Sequence, residues 1–138
     1  MQSGRRLLDT VTLSEVIKGH DAAVAARAVA YLSVHERFQF SIVTRFEILR
    51  GLQAKQAHRQ IELSEKRCRT STVLPLTDAI VIRAAEIYGF LHRKGSLIGD
   101  ADVLIAATAL EHELPLVTEN TAHFRRVPGL VCESWRSA

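Results

Sequence analysis

Short unbroken apolar runs alternate along this chain with longer stretches in which apolar residues recur every three or four positions. Leu7-Leu8, Thr72 to Leu74, Leu116 to Thr118 and Leu130 to Cys132 are such runs, and Phe38 to Val43, rich in β-branched and aromatic residues and bounded by polar ones, is added to them, so that five strands are predicted. The stretches between them read as helices. Thr12 to Ile17 is a brief one stopped by Gly19, and Asp21 caps a second that carries Val24, Ala28, Tyr31 and Leu32 on one face. Thr44 begins a third with Phe46, Ile48, Leu49 and Leu52 apolar and Gly51 as its weak point. Residues 54–69 mix basic, acidic and glutamine side chains around only a few apolar ones, which predicts an exposed helical arm.

Thr77 caps a long helix carrying Ile80, Ala84, Ile87, Tyr88 and Leu91, closed by Gly95. Asp100 then caps Ala101 to His112, which is apolar around nearly its whole circumference and is therefore expected to be buried. Thr121 to Phe124 reads as a turn or short helix. Strands that alternate with helices, together with the short flanks of unbroken Leu, Val and Ile, imply a mainly parallel sheet covered on both sides. The predicted fold class is α/β, a three-layer α/β/α sandwich. No repeat, linker or composition break divides the chain, so residues 1–138 read as one domain.

Composition adds three constraints. No apolar run is long enough to cross a bilayer and no hydrophobic leader core opens the chain, so no membrane role and a cytoplasmic location are expected. Cys68 and Cys132 lack a second thiol or imidazole at zinc-ligand spacing and read as two half-buried thiols, and the six histidines form no paired motif. A net charge of +3 tilts the choice of partner toward a polyanion without establishing one.

The chemistry lies in the acids at the ends of the apolar runs. Asp9 follows the first strand, Glu47 the second, and Asp100 and Asp102 open the buried helix. In parallel α/β sheets, sites form at the carboxyl ends of the strands. If strand order draws these junctions together, the carboxylates share one hollow and repel one another. A hard cation such as Mg²⁺ or Mn²⁺, which prefers all-oxygen ligands, resolves that conflict and makes a coordinated water a better nucleophile toward a phosphodiester. Each acid has a plainer reading too: Asp9 and Asp100 as helix caps, Thr44 with Glu47 as a capping box, Asn120 as a turn former. Asp102 has no capping role left once Asp100 serves, and is the acid least explained by stability.

The ordered set of motifs resembles the PIN-domain ribonucleases, and within them the VapC-type toxins of toxin–antitoxin pairs. It comprises Leu7-Leu8-Asp9-Thr10, Ser41-Ile42-Val43-Thr44 leading to Glu47 and Gly51, Gly99-Asp100-Ala101-Asp102 with Ile105-Ala106-Ala107, and Leu116-Val117-Thr118-Glu119-Asn120 followed by Phe124, Val127-Pro128-Gly129-Leu130 and Trp135. The resemblance implies that Asp9, Glu47 and Asp102 hold the metal, that Asp100 is an additional acid near the third, and that Asn120 stands at a fourth position often filled by Asp. Val11 departs from the family pattern, which usually has Asn there. Thr10 and Thr118 are candidates for supporting the acids, and Arg45, Arg50, Arg93 and Lys94 are candidates for phosphate contacts by their charge. The resemblance further implies an Mg²⁺- or Mn²⁺-dependent endoribonuclease acting on tRNA or rRNA, a homodimer, and a VapB-type antitoxin with which it can form a larger assembly. Alternatives are a catalytically silent RNA-binding or interaction domain whose acids only cap helices, and a DNA-directed nuclease. An aspartyl phosphatase is disfavoured because Val11 stands where its second acid is needed, and no glycine-rich nucleotide loop is present.

Overall fold

The computed structural model describes residues 4–136. Five strands form one parallel sheet: β1 (Leu7–Leu8), β2 (Gln39–Ser41), β3 (Thr72–Leu74), β4 (Leu116–Val117) and β5 (Cys132–Glu133). Their spatial order is β3-β2-β1-β4-β5. The chain winds one way from β1 and then returns to the other side of it, so the order reverses between β1 and β4. That reversal opens a crevice at the carboxyl edge.

Helices α1 (Thr10–Lys18) and α2 (Ala22–His35) join β1 to β2, and α3 (Ile42–Ala54) and α4 (His58–Arg69) join β2 to β3. Helices α5 (Asp78–Arg93) and α6 (Asp100–Glu111) pack on each other and lead to β4, while α7 (Thr121–Phe124) precedes β5. Side-chain alternation divides the central strands between two cores. Leu7 and Leu116 join Ile80, Leu91, Ile105 and Phe124 on the α5–α6 side, whereas Leu8 and Val117 join Leu13, Val24, Phe40 and Trp135 on the α1–α2 side. The strands are thus buried on both faces, as their unbroken apolar pairs require. This is the three-layer sandwich anticipated from the pattern.

Most predicted caps hold. Asp9 accepts from Thr12 N at 2.8 Å, Asp21 from Val24 N at 3.0 Å, and Thr77 from Ile80 N at 3.2 Å. Gly19 ends α1 at φ 70°, a left-handed position that suits a residue without Cβ. Several boundaries differ from expectation, among them α1, which starts at Thr10 rather than Thr12, and the arm, which is helical over His58–Arg69. Helix α3 starts at Ile42 rather than Thr44, because Ser41 Oγ accepts from Val43 N and Val43 is buried, so cap and packing override the β preference of Ile42-Val43. Helix α6 is preceded by Gly99 with no side-chain cap, which leaves Asp100 in its first turn rather than capping it. Strand β5 runs through Cys132–Glu133 because the ladder places Leu116 opposite Cys132 and Val117 opposite Glu133, two residues beyond where the apolar run begins.

Candidate active site

Asp9 is fixed by the sheet itself. Its amide donates to Val117 O at 3.0 Å, extending the β1–β4 ladder one residue beyond β1 and setting the side chain in the crevice where strand order reverses. Only 4% of the residue is exposed. Burial lifts its carboxyl above the ordinary value, hydrogen bonds from Thr118, the Thr12 amide and the Thr12 hydroxyl oppose that rise, and the charge of Asp102 adds to it. The cap expected of Asp9 is real, yet it satisfies little of what the buried charge needs.

Asp102 lies in the first turn of α6 with its Oδ2 3.1 Å from His123 Nε2. Its carboxyl is also raised, first by burial and further by Glu47, while His123 draws it down. Asp9, Asp102 and Glu47 therefore form one electrostatically linked set contributed by β1, α6 and α3. Glu47 does not belong to a capping box. With α3 starting at Ile42 it sits in the second turn, and its Oε1 accepts from Thr10 Oγ1 at 2.6 Å. Thr10 Oγ1 also lies 3.2 Å from the buried Thr44 hydroxyl, tying α1 to α3 beside the acids. Arg50, one turn along, approaches Glu47 Oε2 at 3.6 Å.

The other expected residues are placed less centrally. Asp100 is exposed and Asn120 is exposed at the start of α7, its backbone amide donating to Thr118 Oγ1 at 3.0 Å. Thr118 is fully buried and serves both that amide and Asp9. Arg45 is engaged with Glu65 and with Cys68 Sγ, so it braces α4 against α3. Arg50 is open and stacks over the exposed Phe46 ring at 5.2 Å, whereas Arg93 and Lys94 are exposed at the end of α5 with no described bond to the acids. Two further acids serve structure: Glu15 pairs with Arg136, and Glu119 accepts from Ser134 Oγ and Trp135 N. Both cysteines are free thiols. Sequence reasoning missed His123, in the short helix that follows Asn120, because its partner Asp102 lies 21 residues away and no local pattern marks it.

Residues 6–130 match the family model of the PIN domain. The chain belongs to the PIN domain family. Ribonuclease VapC1 of Methanocaldococcus jannaschii is 34% identical over 87 residues, covering 63% of this chain and 62% of that protein. The tRNA(fMet)-specific endonuclease VapC of Salmonella typhimurium is 30% identical over 130 residues, covering 94% of this chain and 96% of its own. Among solved structures, DNA-bound VapBC from Salmonella typhimurium superposes with a TM-score of 0.85 at 30% identity, covering 95% of this chain and 98% of that one.

The donor set of this PIN domain suits a hard divalent ion: three carboxylates, of which Asp9 is raised by burial and by Asp102, and Asp102 by burial and by Glu47, with no thiolate among them. Among the described residues, no three acid, cysteine or histidine side chains are grouped so as to hold an ion as they stand. Glu47 is held by Thr10 and Asp102 by His123. No helix among the described residues is long and apolar enough to cross a membrane.

Proposed function

We propose that the chain is a metal-dependent endoribonuclease, the toxin of a toxin–antitoxin pair, acting on tRNA or rRNA as a single domain in the cytoplasm. The observation that carries the reading is the linked set Asp9, Asp102 and Glu47 at the strand-order reversal of a PIN domain whose relatives are named as ribonucleases. These three residues would hold Mg²⁺ or Mn²⁺, with Asp100 and Asn120 at the rim. When bound, such an ion offsets the crowded negative charge, orients the scissile phosphate and makes a water more acidic.

The chain's own groups supply the rest. Thr10 fixes Glu47, and Thr118 ties the end of β4 both to Asp9 and to the start of α7. Arg50, 61% exposed beside Glu47, is the basic residue best placed to meet a phosphate of the substrate backbone. Arg93 and Lys94 contribute a more distant attraction, and Arg45 is assigned instead to bracing α4.

A VapB-type antitoxin is the proposed partner, supported by structural neighbours that are toxin–antitoxin complexes. A groove of about 300 Å³, lined by Val11, Ile48 and Leu52 together with Glu47, Lys18 and Lys55, reaches the site at Glu47 and offers an antitoxin segment a seat that is part apolar and part charged. An arginine from that segment would neutralise the same charge as the cation. We assign the toxin a homodimeric state within such a complex.

The experiment is cleavage of total RNA with added Mg²⁺ or Mn²⁺, after chelation, and by Asp9→Asn and Asp102→Asn proteins. Cleavage is expected only with the ion and the wild-type acids, giving 5′-phosphate ends whose sequencing identifies the target. Cutting that survives both chelation and substitution would overturn the mechanism.

A further inference from the structure

The imidazole of His123 touches Asp102 and belongs to no motif selected from the sequence. We infer that His123 is a positioning residue for the metal site: its Nε2–H holds Asp102 Oδ2 so that Oδ1 stays free to ligate. The inference rests on the metal reading of the acids proposed above.

Three observations carry it. First, the contact is a 3.1 Å approach between a half-buried ring nitrogen and a carboxylate oxygen, their side chains 24% and 34% exposed. With Asp102 ionised, as a metal ligand must be, the carboxylate only accepts, so Nε2 carries the proton and cannot itself bind the ion. Second, Asp102 Oδ1 has no hydrogen bond among the described residues, and the group lies within reach of the charges of Glu47 and Asp9. A carboxylate bonded through one oxygen and open at the other is what a ligand requires. Third, the ring sits beside an anchored neighbour. Phe124, buried in the α5–α6 core, meets it edge-on at 5.7 Å with an interplanar angle of 87°.

The start of α7 is in turn tied to β4 through Thr118 Oγ1, which accepts from Asn120 N and also bonds Asp9. A succession of contacts therefore runs from the end of β4 through Thr118 and α7 to Asp102. Without His123, the Asp102 side chain gains rotamers and an ion must order it on binding.

Three proteins test this: wild type, His123→Leu, which keeps bulk without a donor, and His123→Gln, which restores an N–H at similar reach. Mn²⁺ affinity is read from the free-ion electron paramagnetic resonance signal, with a thermal melt to establish folding. The leucine protein should bind Mn²⁺ about 10- to 100-fold more weakly, and the glutamine protein should recover most of that loss. Nitrogen hyperfine coupling from imidazole should be absent in wild type.

Equal Mn²⁺ affinity in wild type and the leucine protein overturns the positioning role while leaving the metal site standing. Imidazole coupling that vanishes on substitution makes His123 a direct ligand and overturns it too. If the leucine protein does not fold, a glutamine protein that melts like wild type yet binds as weakly as Asp102→Asn is the overturning result. Wild type without a saturable Mn²⁺ site would instead remove the metal reading on which the inference rests.

Discussion

Replacing Asp9 by Asn should leave the protein without added metal at least as stable as wild type while abolishing its response to Mn²⁺. Asp9 combines two opposed contributions: it caps α1 through Thr12 N, and it buries a charge whose carboxyl is pushed up by desolvation and by Asp102. Asn keeps the cap, since Asn and Asp are equivalent there, whereas Ala forfeits about 1 kcal/mol of it. For a domain this size that difference is roughly 3 °C in Tm. A cation present at 100 times its Kd adds about 2.7 kcal/mol, or some 8 °C, to any protein that binds it. Differential scanning fluorimetry of wild type, Asp9→Asn and Asp9→Ala, each with chelator and with Mn²⁺, measures both effects. Because the raised carboxyl favours the protonated form in the fold, its stabilisation is present below about pH 4 and is lost as pH rises through the folded value. The advantage of Asn over Asp should therefore grow across that rise. An Asn protein that melts with Ala, or that gains as much from Mn²⁺ as wild type, would refute the argument.

Thr10→Val should remove the 2.6 Å bond to Glu47 and lower RNA cleavage about 10- to 100-fold with little change in fold, as read by initial rates and circular dichroism. Arg50→Ala should weaken RNA binding and make its salt dependence shallower by about one unit of slope, as fluorescence anisotropy across a salt series would report. Ile105→Ala, at a site with no exposure, should cost about 2–5 kcal/mol in a urea titration and slow cleavage only through loss of folded protein.

The parts of this molecule that follow from local chemistry were legible in its residues. Unbroken apolar pairs mark strands buried twice over, and Asp21, Thr77 and Gly19 mark helix ends through bonds that span only three or four residues. Boundaries that long-range packing decides were not. Helix α3 begins two residues early because burial of Val43 outweighs its β preference, and β5 is set by its ladder with β4 rather than by its own apolar content. His123 was hidden for the same reason: its importance lies in a contact across 21 residues, and nothing near it in sequence points toward Asp102.

Asp102 is where the two levels meet. Asp102 gains from the helix field in the first turn of α6, yet its partial burial is costly and it caps nothing. The fold adds to that cost by setting it near Glu47 and Asp9, and then relieves only part of it with a single histidine. Two raised carboxylates kept beside a third, at the edge where strand order reverses, form an arrangement that stability alone would have removed, since an amide at either position would relieve the repulsion. Their retention makes sense if the missing positive charge comes from outside the chain. A metal ion and an antitoxin arginine are then competitors for one electrostatic vacancy, so saturating Mn²⁺ should weaken antitoxin binding to the wild-type toxin and leave its binding to Asp102→Asn unchanged. Calorimetric titration of the antitoxin into both proteins, with and without Mn²⁺, measures that coupling, and equal affinities for wild type in the two conditions would refute it.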